Sequence, residues 1–158
     1  MSTRKSSRNS LIPTHPWRGS LFSHLLGKGI NLKRPTTANP KLLGEWSEHL
    51  AYKWLAARGL KLVTRNYRSQ YGEIDLIMKD HDFLVFVEVR YRKNTRYGSA
   101  EDSITAKKCQ RLTATAENYL LANNYGQDTA LRFDAIAISP TKESDLHCTI
   151  NWIKNILI

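Results

Sequence analysis

Three residues near the middle of the chain have the types and spacing for phosphoryl chemistry: Asp75, Glu88 and Arg90. Glu88 and Arg90 lie two apart at the end of the run Phe83-Leu84-Val85-Phe86-Val87-Glu88-Val89-Arg90. Side chains two apart on a strand share a face, so this carboxylate and this guanidinium project together where the apolar run ends. Asp75 belongs to the preceding alternating run, across the polar break Lys79-Asp80-His81-Asp82. Hard carboxylate oxygens are ligands for Mg²⁺ or Mn²⁺, and a divalent ion held there would polarise a phosphoryl group while Arg90 balances its charge. The plainer reading of the same residues is a solvated hairpin whose carboxylates pair with nearby Lys or Arg.

The elements that must position these residues follow from periodicity. Gly72 to Arg92 reads as a β-hairpin whose second strand, apolar on both faces, suits the centre of a covered sheet. Residues 44–58 read as a helix, with Trp46, Leu50 and Trp54 every fourth position, Ala51 and Leu55 widening the stripe, and Gly59 placed as its C-terminal cap. Glu48 lies at the border of that stripe, where a carboxylate can reach into a cleft. Leu60–Asn66 reads as a strand with Leu60, Leu62 and Thr64 on one face, followed by a polar link to Tyr71. A helix is predicted over about 104–123, capped by Ser103, with Leu112, Ala116, Tyr119 and Leu120 as its apolar stripe. Lys107, Lys108 and Arg111 put positive charge on its first turns, against the helix dipole, which suits an anionic partner. Leu131–Ser139, ended by Pro140, and Leu146–Ile153 read as two further strands. A hairpin followed by a helical crossover gives an α/β fold with a mixed sheet flanked by helices.

At 158 residues the chain has the length of one domain, and no apolar run approaches the roughly 18 residues of a membrane span. The formal charge of +10 is uneven. Eight of the 24 Lys and Arg lie in residues 1–43, which hold no acid, leaving 16 basic against 14 acidic residues in the remainder. Residues 1–40, punctuated by Pro13, Pro16, Gly19, Gly27, Gly29, Pro35 and Pro40, read as a disordered basic arm. Either the arm touches nucleic acid non-specifically or it only aids solubility. Residues 41–158 are then the folded domain. Cys109 and Cys148, far apart and outside any CxxC or zinc spacing, read as thiols of a reducing cytoplasm.

The segments GEWSEHLAYKWLAARGL, NYRSQYGEIDLI, LVFVEVRYR, the Lys107–Leu120 helix and RFDAIAI, which together cover roughly residues 44–138, resemble the YraN family of bacterial proteins. That family looks like a branch of the restriction-endonuclease-like, PD-(D/E)xK nucleases, whose core is αβββαβ, and is similar to archaeal Holliday-junction resolvases. The resemblance implies Glu48 as the helix glutamate, Asp75 as the second-strand aspartate and Glu88 as the glutamate of the ExK motif. Arg90 then stands where that motif has lysine. It also implies Mg²⁺ or Mn²⁺ as cofactor, DNA as partner and, by analogy with the resolvases, a homodimer. Asp75 and Glu88 would hold the ion, with the Val89 carbonyl and Glu48 completing its shell. Arginine supplies charge and a fork of donors but cannot act as a base, so an amine would have to come from Lys93, Lys107 or Lys108. Two function classes follow: a metal-dependent endonuclease on structured DNA, or a binding module of the same fold in which Arg90, Arg92, Lys93 and Arg96 hold phosphates. A part in a larger protein assembly is a third.

Overall fold

The computed structural model describes residues 33–92, 106–141 and 147–157. Helix α1 (Pro40–Ala56) leads into strands β1 (Lys61–Ser69), β2 (Gly72–Asp80) and β3 (Phe83–Tyr91), then helix α2 (Ala106–Ala122), β4 (Leu131–Pro140) and β5 (Cys148–Ile153). The five strands form one sheet in chain order. β3 and β4 are parallel, and the other neighbours are antiparallel. This is a mixed α/β sheet consistent with the αβββαβ core.

Among the described residues, each face of the sheet carries one helix. Leu50, Ala51 and Leu55 of α1 pack on Leu76, Met78, Val85, Val87 and Val89. Leu112, Ala116 and Tyr119 of α2 pack on Ile74, Ile77, Leu84 and Phe86 on the other face. The odd and even residues of β3 therefore serve different cores, which is why that strand reads as continuously apolar. Tyr91, on the odd face, meets Trp46 of α1 edge-on at 6.2 Å, pointing away from Glu88 as its spacing requires.

The elements depart from the sequence expectation at three places. α1 begins at Pro40, four residues early: Asn39 caps it by accepting from the Lys41 N–H at 2.9 Å, and proline suits a first turn that has no partner for its missing N–H. The buried line of α1 is Ser47, Leu50, Ala51 and Leu55, while Trp46 and Trp54 only flank it. The small residues let the helix lie close to the sheet, and the tryptophans seal its margins. β1 runs on through the residues expected as a link, and its apolar residues Leu62 and Val63 are 38% and 41% exposed, because β1 is an edge strand with a register shift between Leu62 and Thr64. The Ser103 cap, the arm over residues 1–32 and the start of the expected fifth strand at Leu146 lie outside the described residues.

Gly72, at the start of β2, has φ +156°, and a Cβ there would come within 3.2 Å of Thr115 Oγ1 on α2. Thr115 is itself buried and fixed by donating to the Arg111 carbonyl at 2.7 Å. Gly72→Ala should therefore destabilise the fold by about 1–3 kcal/mol through backbone strain and overpacking. Thermal denaturation should show a midpoint lowered by several degrees; an unchanged midpoint would mean that α2 does not need this close approach.

Candidate active site

The site arises from a split in the sheet. β2 and β3 pair from Asp80↔Phe83 as far as Leu76↔Val87. Beyond that point β2 stays with β1, as in Ile74↔Tyr67 and Gly72↔Ser69, while β3 stays with β4 through Tyr91↔Ile138. The gap opens between Asp75 and Glu88. The Val89 N–H donates to Asp75 Oδ2 at 2.7 Å, so the aspartate takes a backbone donor that the β2–β3 ladder leaves free.

The alternation of β2 breaks at the same residue. Ile74 and Leu76 would share a face on a regular strand, yet Ile74 packs in the α2 core and Leu76 in the α1 core. The neighbouring strand breaks opposite it: Arg65 pairs with Leu76 and Tyr67 with Ile74, and between them Asn66 takes a left-handed φ of 50°. Asn66 Nδ2 in turn donates to Glu48 Oε2 at 3.1 Å, which fixes the α1 carboxylate at the margin of the gap.

Asp75, Glu88, Arg90, Lys107, Lys108 and Arg111 line one cleft of about 430 Å³, floored by Gly72, Leu112 and Thr115. Glu88 Oε1 is held at 2.7 Å by Lys108 Nζ from α2 and at 2.8 Å by Arg90 Nη2 from its own strand. Arg111 Nε donates to the Tyr71 carbonyl at 3.3 Å and ties α2 to the β1–β2 turn. Glu73, also on the wall, is paired with Arg68 at 3.1 Å. Burial pushes the Asp75 carboxyl up to about 7; the charges of Glu88 and Glu48 push the same way, against the Val89 N–H and Arg90. Asp75 is thus the point at which the charges of both Glu88 and Glu48 are felt.

Chain comparisons bear on this geometry. The model of Uncharacterised protein family UPF0102 matches residues 47–138, from within α1 to within β4. The chain belongs to the UPF0102 (YraN) family. A UPF0102 protein of Nitrosococcus oceani is 46% identical over 122 residues, 77% of this chain and 94% of that one. Similar proteins from Methylococcus capsulatus and Aliivibrio salmonicida are 44% and 40% identical, over 72% and 76% of this chain and 89% and 94% of theirs.

The UPF0102 span contains every expected carboxylate, and the structure distributes them unequally. Asp75, Glu88, Arg90, Lys107 and Lys108 meet at the cleft. Glu48 stands outside its lining, on the α1 side, and reaches the gap through Asn66. Arg92 follows β3, its N–H donating to the Ile138 carbonyl at 2.8 Å, and does not line the cleft. Lys93 and Arg96 lie outside the described residues. Among the described residues, no three carboxylate, imidazole or thiolate side chains are gathered tightly enough to enclose a bare ion. The donor set still fits a hydrated hard cation: two hard carboxylates face one gap, and their mutual repulsion is what a divalent charge relieves. Sequence reasoning missed Asn66 as a site residue, and it gave Arg111 only as helix charge; its place at i+3 from Lys108 was the available signal. No described helix is long and apolar enough to cross a membrane.

Proposed function

We propose that this UPF0102 protein is a divalent-metal-dependent endonuclease that hydrolyses phosphodiesters of DNA, with branched or otherwise structured DNA as its substrate class. The observation that supports this best is the split sheet: it sets Asp75 and Glu88 across one gap and lines the same gap with Arg90, Lys107, Lys108 and Arg111. Carboxylates alone would repel a phosphate and cations alone would not recruit a metal; the two together suit a metal-assisted attack on a phosphodiester. Asp75 and Glu88 would hold Mg²⁺ or Mn²⁺, with the Val89 carbonyl and, through water, Glu48 as further oxygens. The ion, when bound, supplies Lewis-acid polarisation of the phosphoryl group. Arg90, exposed on one side, offers its guanidinium fork to the non-bridging phosphate oxygens. Lys108 brings to Glu88 the amine that β3 lacks, and Lys107 and Arg111 carry the adjoining phosphates.

A binding module of the same fold is the second reading, and a specific contact favours it: Lys108 and Arg90 already satisfy Glu88 without any ion. The two readings separate on purified protein with Mn²⁺ and single-stranded, duplex, flap and four-way DNA. The nuclease reading expects cleavage of at least one structured substrate, a rate for Arg90→Lys that equals or exceeds wild type, and at least a tenfold loss in Lys108→Met that Arg90→Lys partly restores. If wild type and Arg90→Lys bind every substrate and cut none, the binding module is the function.

A further inference from the structure

We infer that Arg34 is a second phosphate-binding residue, on a nucleic-acid track that leaves the cleft and passes round the end of β3. The inference rests on the nucleic-acid reading above, and it concerns residues to which that reading gives no part. Arg34 sits between the bridge Lys33↔His147 and the cap of α1. Its Nη2 donates to the Thr37 carbonyl at 3.3 Å, and its guanidinium carbon lies 5.8 Å from the centre of the Tyr91 ring. Its Nε–H is shielded from solvent and has no acceptor among the described residues. Buried donors are nearly always paired, so an orphaned guanidinium N–H points to an acceptor brought by a ligand.

The surroundings specify that ligand. A groove of about 600 Å³ adjoins Arg34, walled by Thr36, Thr37, Ala38, Leu43 and Tyr91, with no carboxylate among the described residues of its lining. The Thr37 hydroxyl accepts from the Asn39 N–H at 3.1 Å, which leaves its own hydrogen to donate. A guanidinium and the Thr36 and Thr37 hydroxyls, beside a groove with no acid among its described lining residues, suit an anion with several acceptor oxygens, such as a phosphate. Its position favours a polynucleotide phosphate over a free one. Tyr91 directly follows Arg90 on β3, and their side chains take opposite faces of the same strand end. A phosphate chain that meets Arg90 on the α2 side reaches the Arg34 groove by crossing the strand end.

The test is the salt dependence of DNA binding. Anisotropy of a labelled four-way DNA is measured over a several-fold range of KCl, in EDTA to prevent cleavage, for wild type, Arg34→Gln and Arg34→Lys. Losing one phosphate contact should weaken binding several-fold and make the slope of log K against log salt shallower by about one. Arg34→Lys, which retains a point charge, should keep the slope even if its melting point falls with that of Arg34→Gln, so that the slope tracks charge rather than packing. An unchanged slope in Arg34→Gln overturns the inference and leaves the cleft reading standing if Mn²⁺-dependent cleavage persists. Wild type that binds no DNA overturns both. If the Arg34 Nε–H resonance then responds to inorganic phosphate, the groove takes a free anion and the track is abandoned.

Discussion

Asp75→Asn should reduce DNA cleavage at least about 100-fold and, in EDTA, make the protein more stable than wild type at about pH 8. Both effects follow from the position of one carboxylate. Asparagine keeps an oxygen to accept from the Val89 N–H, so the local backbone bond survives. It removes the anionic donor that a divalent ion requires, a loss larger than the roughly 10–100-fold typical of outer-sphere changes. The stability effect has a defined sign. Burial, Glu88 and Glu48 raise the Asp75 carboxyl to about 7 from its ordinary value of 3.8. The folded state therefore holds a proton that the unfolded chain has already lost, and wild-type stability falls as pH rises between those two values. The asparagine amide does not titrate. The stability difference between variant and wild type should grow from about pH 4 to about pH 7 and level off above, reaching up to roughly 4 kcal/mol, less whatever water in the cleft screens. Chemical denaturation at about pH 5 and about pH 8 measures it, and a difference that shrinks with pH would contradict the assigned burial.

The second large effect lies away from the cleft. Asp134, at 0% exposure on β4, accepts from Arg132 Nε at 2.9 Å, from Trp152 Nε1 at 2.9 Å and from the Asn155 N–H at 3.0 Å. Arg132 also reaches Asp80 at the β2–β3 turn, at 2.8 Å. One carboxylate thus joins β4 to β5 and the C-terminal residues, and through Arg132 to the hairpin that carries the site. Removing Asp134 leaves the Trp152 and Asn155 N–H groups without an acceptor and Arg132 with Asp80 as its remaining carboxylate. Asp134→Ala should destabilise by about 3–5 kcal/mol, read as an earlier midpoint in urea with an unchanged slope. A loss below about 1 kcal/mol would show that water replaces the carboxylate at little cost.

How far the chain could be read before its structure differs by feature. The hairpin, the crossover helix and the order of elements were legible because each apolar pattern has one period and one burial partner; β3, covered on both faces, was the plainest. The start of α1 was obscured because proline reads as a breaker unless the preceding Asn39 is seen as its cap. Leu50, Ala51 and Leu55 of its buried line were legible, but Ser47 was missed and Trp46 and Trp54 were put at the centre, because tryptophans are conspicuous whereas close packing uses small residues. Asp75, Glu88 and Arg90 were visible as types and spacing, but the break that turns Asp75 into the gap depends on the left-handed Asn66 of another strand. Lys108 was legible as helix charge and as one of three candidate amines, but its pairing with Glu88 comes from tertiary packing: 20 residues separate the two, and no local pattern links them. The Arg132–Asp134–Trp152 network was hidden for the same reason.

If Asp75 and Glu88 form a divalent-metal site, calorimetric titration of Mn²⁺ shows it without any choice of DNA substrate. Wild type at about pH 8 should give a saturable isotherm. Affinity should fall as pH drops through about 7, because the ion must displace the Asp75 proton. Asp75→Asn should show no saturable heat at any pH in that range. Saturable binding that is the same in wild type and Asp75→Asn, or no saturable binding by wild type on the alkaline side, would contradict a metal site at these two carboxylates.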